Sequence, residues 1–274
     1  MHYFYYFLLI IFALLPSSIW LLFFLRKDAH PESNRMILRV FLYGMLAAVL
    51  AAITEFIIVS GFLEPAKDLI YPSFLIFILD IFITVALIEE VAKYLVVKIG
   101  VLQSSELDEP VDIMLYMIIA ALGFAALENI LYLFDASLSS PLNIDCPIFF
   151  THIVNYLSII FGHAFPEKIF YTVFLTNIIR FLSAVLGHAL WSGTLGYFLA
   201  MSFCEPKQRI KLLTRGLVLA VSLHAAFNYV IMQIIKTENL MWYFLLLIMP
   251  IGLIIFVTLG FRRLRKMKSI CKIR

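Results

Sequence analysis

Charged residues are scarce in this sequence. Only 14% of its 274 residues are Asp, Glu, Lys or Arg, whereas 63% are hydrophobic and 26 are phenylalanine. Soluble domains carry roughly 25% charged residues, so this chain has too few polar side chains to cover a soluble surface. The composition predicts an all-α fold, a polytopic membrane helical bundle in which lipid takes the place of water as the solvent.

The sequence also lacks a cysteine framework and a polar domain. Its three cysteines, Cys146, Cys204 and Cys271, do not have the spacing of metal ligands, and we expect no disulfide among them. No internal repeat, low-complexity linker or soluble domain is evident. Residues 1–274 are therefore expected to form a single membrane domain.

Seven hydrophobic windows are long enough to cross roughly 30 Å of hydrocarbon as helices. Two of them, 69–97 and 169–203, are overlong, which predicts that they tilt, kink or extend beyond the bilayer. Pro16 predicts a kink in the first window. The seven windows are residues 3–25, 37–61, 69–97, 113–134, 169–203, 214–235 and 240–261.

Lysine and arginine are concentrated near the window ends, in residues 26–39, 204–215 and 262–274. Because short cytoplasmic loops carry an excess of basic residues, seven spans predict that these segments are cytoplasmic, with the N-terminus outside and the C-terminus cytoplasmic. An eighth span at 146–165 would break this agreement, so we expect that stretch to be interfacial or re-entrant within an external segment, 136–168. The expected location is the cell membrane, with a multi-pass chain in contact with the lipid bilayer and no nucleic-acid partner.

Polar side chains nevertheless interrupt four consecutive windows. Counted at 1.5 Å of rise per residue, their depths differ by about two helical turns, so one cavity can hold them. A single membrane His or Asn is as often a contact between helices as a functional group, but ionisable groups inside a membrane are costly and mark functional sites. Asp80 and Arg180 are expected to form a separate, structural ion pair. The candidate cavity residues are Glu89, Glu90, Lys93, Glu128, His188, His224 and Asn228.

These residue types can activate water without a metal. Glu89 and Glu90 are adjacent carboxylates that can act as a base and its acid partner. His224 and Asn228 lie one helical turn apart and can donate hydrogen bonds to the oxyanion that forms when water attacks a carbonyl. No Ser–His–Asp or Cys–His arrangement is apparent, which argues against a covalent nucleophile.

A metal-dependent site is the alternative. Two histidines with one or two glutamates can hold Zn²⁺ and leave an open position for water. If a metal is present, the predicted ligands are Glu128, His188 and His224. The sequence has no H-E-x-x-H segment, so the ligands would come from separate helices. The residue pattern leaves the metal-dependent and metal-free alternatives open.

Four short motifs lie on separate windows: "EEVAK" at 89–93, "FAALEN" at 124–129, "HALWSG" at 188–193 and "HAAFN" at 224–228. In this order they resemble the PrsW family of intramembrane proteases and, more distantly, the CAAX-processing membrane endopeptidases. The resemblance covers about residues 80–230 and places a protease-like core within 69–235.

The resemblance implies a multi-pass protease that hydrolyses a peptide bond of a membrane-anchored protein, such as a single-span anti-sigma factor cleaved at its first site. PrsW-type proteins are grouped with metalloproteases and the CAAX relatives with glutamate-dependent enzymes; we favour glutamate-activated water, with Glu89 as the base. By the same resemblance, the family's motif residues correspond to Glu89, Glu90, Glu128, His188, His224 and Asn228.

Two other functions fit the same polar residues. A proton-coupled transporter would also gather Glu, His and Lys at mid-depth, although the seven windows show neither an inverted repeat nor a matching pair of broken helices. A non-catalytic membrane receptor or assembly factor is the third class. The sequence retains every residue that hydrolysis requires, which disfavours this third reading.

Overall fold

Helices account for almost all of the structure. This computed structural model describes residues 2–27, 32–66, 73–104, 107–138, 167–237 and 239–267, and no strand occurs among them. The predicted all-α fold is confirmed for these residues. Their α-helices are α1 His2–Leu25, α2 Asn34–Ile58, α3 Glu64–Ala66, α4 Ser73–Leu79, α5 Ile88–Gly100, α6 Pro110–Leu138, α7 Glu167–Arg180, α8 Leu186–Cys204, α9 Arg209–Thr237 and α10 Leu240–Lys266.

Six helical stretches in the described ranges are long and apolar enough to cross a membrane, and they overlap six of the seven predicted windows. The remaining window overlaps the continuous helical run 73–100. This run would extend about 42 Å at 1.5 Å per residue, and it carries three charged residues of the candidate cavity, Glu89, Glu90 and Lys93. The six stretches are Tyr6–Leu25, Asn34–Leu63, Pro110–Ser137, Lys168–Cys204, Pro206–Thr237 and Leu240–Lys266.

π-helical segments interrupt both of the windows that are overlong. Asp80–Leu87 leads into α5, and Phe181–Val185 leads into α8. A π-helical turn contains more residues than an α-helical one, so the side chains after it point in directions that a regular α-helix would not give, and such turns are frequent at functional sites. Here they come immediately before the two helices that carry Glu89 and His188.

The core of the bundle is built around α6. Its apolar window is 94% buried, whereas that of α10 is 17% buried, and α6 packs against α1, α2, α5, α7 and α8. Two glycines let α2 lie directly on it: a Cβ on Gly44 would be 2.1 Å from the carbonyl oxygen of Ala120, and a Cβ on Gly123 would be 2.0 Å from that of Phe41. Backbone-to-backbone packing through small residues is typical of membrane helices.

Cys204, the last residue of α8, is disulfide-bonded. The expectation that the chain forms no disulfide is therefore wrong. That expectation used the spacing of cysteines along the chain and the predicted reducing side of the membrane, and neither determines which side chains the fold brings together. The predicted orientation in the membrane stays a prediction, and the predicted segment 146–165 lies outside the described residues.

Candidate active site

Side chains from α5, α6, α8 and α9 meet in the interior of the bundle. Five of them form what we call the polar cluster, and each is at most 5% exposed. Burying charge is unfavourable unless the groups are paired and hydrogen-bonded, so the pairing within this group indicates what it can do. The polar cluster consists of Glu89, Glu90, Lys93, His188 and His224.

Lys93 lies at the centre of the polar cluster. Its Nζ donates to Glu89 Oε2 at 3.1 Å and to Glu90 Oε1 at 2.8 Å, and it lies 2.8 Å from His188 Nδ1. It also lies 4.3 Å from the centre of the Phe124 ring. An ammonium group has three donors and no acceptor, so these three contacts use all of its hydrogens and make His188 Nδ1 an acceptor.

His188 connects the polar cluster to Glu128. Because Nδ1 accepts from Lys93, the ring proton belongs on Nε2, which lies 2.8 Å from Glu128 Oε2. The same carboxylate oxygen accepts a hydrogen bond from Arg180 Nη2 at 3.2 Å. Glu128 therefore lies on the far side of the imidazole from Glu89, where it fixes both the tautomer and the direction of the ring.

His224 is held by a carboxylate and by an aromatic ring. Its Nδ1 lies 3.2 Å from Glu90 Oε1, and its ring stacks on Trp191 with centroids 4.4 Å apart and an angle of 15°. Ser192 donates to the second oxygen of Glu90 at 2.8 Å. With Lys93 also bound to it, Glu90 is engaged at both oxygens and connects three neighbouring side chains.

Glu89 is the carboxylate with room beside it. Its Oε2 lies 3.8 Å from His188 Nδ1 and 3.9 Å from His224 Nε2, which is too far for direct hydrogen bonds. One ligand atom from each of these three residues lies within 4.8 Å of the other two, an arrangement that can surround a metal ion. The ring nitrogens that face away from Glu89 are the ones bound by Glu128 and Glu90.

Five of the six site residues predicted from the sequence come together here: Glu89, Glu90, Glu128, His188 and His224. Asn228 does not join them. It is half-buried one turn along α9 from His224, and no hydrogen bond connects it to the described residues of the site. The predicted metal ligands were Glu128, His188 and His224. Both histidines lie beside Glu89, but Glu128 contacts the nitrogen of His188 that faces away from Glu89.

The expected ion pair between Asp80 and Arg180 is wrong. Arg180 ends α7 facing α6, where it donates to Glu128 Oε2 and, at 2.8 Å, to Asn129 Oδ1. The pair was predicted because the two residues lie at similar depth. Counting residues along a helix estimates the depth of a side chain, but it does not show which neighbour the side chain faces. Ser192, which contacts Glu90, was not among the residues predicted for the site; its spacing of one turn from His188 is the sequence signal that could have found it.

Comparisons with known proteins find one matching family and several relatives. The family model described as PrsW family intramembrane metalloprotease matches residues 32–258. Protease PrsW of Geobacillus kaustophilus is 33% identical over 113 residues, 40% of this chain and 45% of that protein. Protease PrsW of Clostridioides difficile is 26% identical over 50% of this chain and 55% of that protein.

A third relative, protease PrsW of Oceanobacillus iheyensis, is 26% identical over 217 residues, which is 79% of each chain. The matches to the first two relatives span about half of the length of those proteins. No solved structure gives a significant match to the chain.

Proposed function

The chain belongs to the PrsW family, whose model matches residues 32–258, and we propose that it is an intramembrane protease. Its substrate is a membrane-anchored protein, and its reaction is the hydrolysis of a peptide bond. The family description and the relatives named protease PrsW support this class of reaction. Six helices capable of crossing a membrane support its setting.

The position of Glu89 between two imidazoles is the observation that carries the proposal. Glu89 Oε2 lies 3.8 Å from a nitrogen of His188 and 3.9 Å from a nitrogen of His224. A water molecule or a small cation between these atoms would touch the carboxylate and both rings at once. All three residues are at most 5% exposed, and electrostatic stabilisation of a developing charge is strong where bulk water is excluded.

A divalent metal such as Zn²⁺ fits this donor set, with Glu89, His188 and His224 as its ligands. When bound, the metal would polarise the substrate carbonyl and activate the attacking water. The remaining ring nitrogens face Glu128 and Glu90, and imidazole ligands of metals are usually oriented by such carboxylates. This second feature favours the metal-dependent alternative.

Lys93 has a different role in each alternative. Its ammonium contacts Glu89 Oε2 and His188 Nδ1, two atoms that a metal would use, so metal binding requires Lys93 to withdraw toward Glu90. From there Nζ can give a proton to the amine that leaves when the C–N bond breaks. The proton released by the attacking water then restores the ammonium.

The contacts of Lys93 with Glu89 and His188 favour the metal-free alternative. In this mechanism Glu89 takes a proton from water, and the resulting hydroxide attacks the carbonyl carbon. The ammonium of Lys93 stabilises the oxyanion. Glu89 then passes its proton to the nitrogen of the leaving amine, so that an acid and an amine are released and the site is restored.

We further propose a single-span protein, of the anti-sigma-factor type, as the substrate class. The helices α5, α6, α8 and α9 place the polar cluster within the apolar part of the bundle, so a scissile bond must enter the membrane layer or its edge. A protein anchored by one helix can present such a bond.

The test is proteolysis by the purified protein in lipid nanodiscs, with single-span model proteins as substrates and mass spectrometry of the products. We expect cleavage by the wild type and none by His224→Ala. Metal content, chelator treatment and re-addition of Zn²⁺ distinguish the two mechanisms. Cleavage that His224→Ala leaves undiminished would refute the site, and full activity in metal-free, chelator-treated protein would select the glutamate mechanism.

A further inference from the structure

The first helix makes contacts that its position in the chain does not suggest. α1 precedes residues 32–258, the part of the chain that the family model matches, yet two of its backbone carbonyls accept hydrogen bonds from buried asparagines. Asn177 Nδ2 donates to the carbonyl of Phe12 at 2.9 Å, and Asn129 Nδ2 donates to that of Ala13 at 2.7 Å. Both asparagines are at most 3% exposed.

Pro16 explains why the Phe12 carbonyl is available. In an α-helix the carbonyl of residue 12 accepts a hydrogen bond from the N–H of residue 16. Proline has no N–H, and its ring crowds the carbonyl four residues earlier, so Phe12 has no helical partner. In an apolar bundle a freed carbonyl must find another donor, and Asn177 of α7 supplies it.

The two asparagines continue toward the active site. Asn129 also donates to Asn177 Oδ1 at 2.8 Å, and Arg180 Nε donates to Asn129 Oδ1 at 2.8 Å. Arg180 then reaches Glu128 Oε2 through Nη2. We call Asn129, Asn177 and Arg180 the anchor network. It forms an unbroken series of hydrogen bonds from the backbone of α1 to the carboxylate that orients His188.

A second contact fixes α1 at the other end of the same region. Trp20 Nε1 donates to the carbonyl of Phe181 at 2.9 Å, and the two rings stack with centroids 5.2 Å apart. Phe181 begins the π-helical segment that follows Arg180. Phe12 and Trp20 lie on either side of Pro16 in α1 and are joined to α7 and to the π-helical segment that follows it, respectively.

We propose that α1 is a positioning helix for the active site. The carbonyl that Pro16 frees on α1 fixes Asn177, and through it Asn129 and Arg180. Arg180 in turn holds Glu128 in the position from which it orients His188. Pro16 and Asn177 are positioning residues in this assignment, since neither contacts the polar cluster. The inference rests on the proposed function, because it assigns a role in that reaction.

The experiment compares Pro16→Ala, Asn177→Ala and the double variant in nanodiscs. Pro16→Ala supplies the missing N–H, which competes with Asn177 for the Phe12 carbonyl. We expect each single variant to lose about tenfold in kcat with KM unchanged. This is the low end of the roughly 10–100-fold loss that follows removal of the carboxylate orienting a ligating histidine, because here Glu128 is displaced and not removed. The double variant should be no worse than Asn177→Ala alone, because that variant already removes the hydrogen bond on which Pro16→Ala acts.

Two further measurements keep the result interpretable. Ser18→Ala is the matched control, because the Ser18 hydroxyl bonds only to Leu14 within α1, and it should leave kcat unchanged. The ¹⁵N resonance of His188 Nε2 reports its hydrogen bond to Glu128 even if no proteolysis is found, and it should shift in Pro16→Ala but not in Ser18→Ala. A wild-type kcat with an unshifted His188 resonance in Pro16→Ala would overturn the proposal. Absence of cleavage by the wild type would instead refute the proposed function.

Discussion

The polar cluster and the anchor network are buried side by side, but they satisfy their polar groups in different ways. The anchor network ends on two backbone carbonyls of α1, which are fixed by the helix itself. In the polar cluster, the hydrogen bonds described here join one side chain to another. Side chains can exchange partners while a backbone cannot, so the first region is suited to holding a geometry and the second to changing during a reaction.

This comparison predicts that substitutions in the polar cluster reduce activity more than stability. The largest effect is expected for Glu89→Gln, which removes the one carboxylate that faces both imidazoles. General acid–base contributions of this kind are worth about 10²–10⁴-fold in rate, and we expect a loss of that size in kcat. Thermal unfolding should change little, because Lys93 keeps Glu90 as its partner.

The control for this substitution is Asp135→Asn. Asp135 is an exposed carboxylate two turns along α6 from Glu128, so its removal changes the charge of the chain by the same amount without touching the site. Proteolysis by this variant should match that of the wild type. Equal losses in the two variants would mean that net charge, and not the position of Glu89, accounts for the effect.

The second prediction concerns the cation at the centre of the polar cluster. Lys93→Met removes the ammonium and leaves the buried Glu89 and Glu90 without it. Breaking a buried pair in this way typically costs about 3–5 kcal/mol, so the unfolding temperature should fall in chelator-treated protein. If the site binds a metal, Zn²⁺ should restore much of the loss, because it neutralises the carboxylates that Lys93 no longer contacts.

Thermal unfolding with and without Zn²⁺ measures this second effect. The wild type is the reference, since its own ammonium competes for the same atoms, and it should gain less from Zn²⁺ than the variant does. Equal unfolding temperatures of the variant with and without Zn²⁺ would contradict a metal site at Glu89 and favour the mechanism in which Lys93 is the resident cation.

The sequence predicts the two regions unequally. Ionisable side chains carry a free-energy cost inside a membrane. That cost alone identifies a group consisting of Glu89, Glu128, His188 and His224. The anchor network has no comparable signal, because Asn129, Asn177 and a proline in a membrane helix each have ordinary explanations. Only the packing of α1 against α6 and α7 shows that the Asn177 amide bonds to the Phe12 carbonyl, which Pro16 leaves without its helical donor, and that the Asn129 amide bonds beside it to Ala13.

The sequence also did not predict which side chains of the site contact one another. Depth along a helix follows from counting residues, but direction depends on the π-helical segments before α5 and α8, and these are not evident in the hydropathy. For that reason the sequence identified Glu128 and His188 as neighbours in depth without showing that Glu128 occupies Nε2 and leaves Nδ1 toward Glu89.

The third prediction is a substitution in the anchor network, which should reduce stability more than activity. Asn129→Leu keeps the shape of the side chain but removes three hydrogen bonds, to Ala13, Asn177 and Arg180. Each buried group left without a partner costs about 1–3 kcal/mol, so the unfolding free energy should fall clearly while kcat falls by about tenfold. Ser137→Ala is the control, since its hydroxyl bonds only to Phe134 within α6. A large kcat loss at unchanged stability would place Asn129 in the chemistry.

The smallest effect is expected for Ser192→Ala. Ser192 supplies one hydrogen bond to Glu90 Oε2, while Lys93 and His224 hold the other oxygen. Loss of one such bond costs about 1 kcal/mol, which corresponds to about fivefold in activity if Glu90 shifts. The control is Ser202→Ala on the same helix, whose buried hydroxyl bonds to the Leu199 carbonyl. A loss in Ser192→Ala as large as that of Glu89→Gln would instead identify Ser192 as a group that reacts with the substrate, and glutamate- or metal-activated water would no longer account for the cleavage.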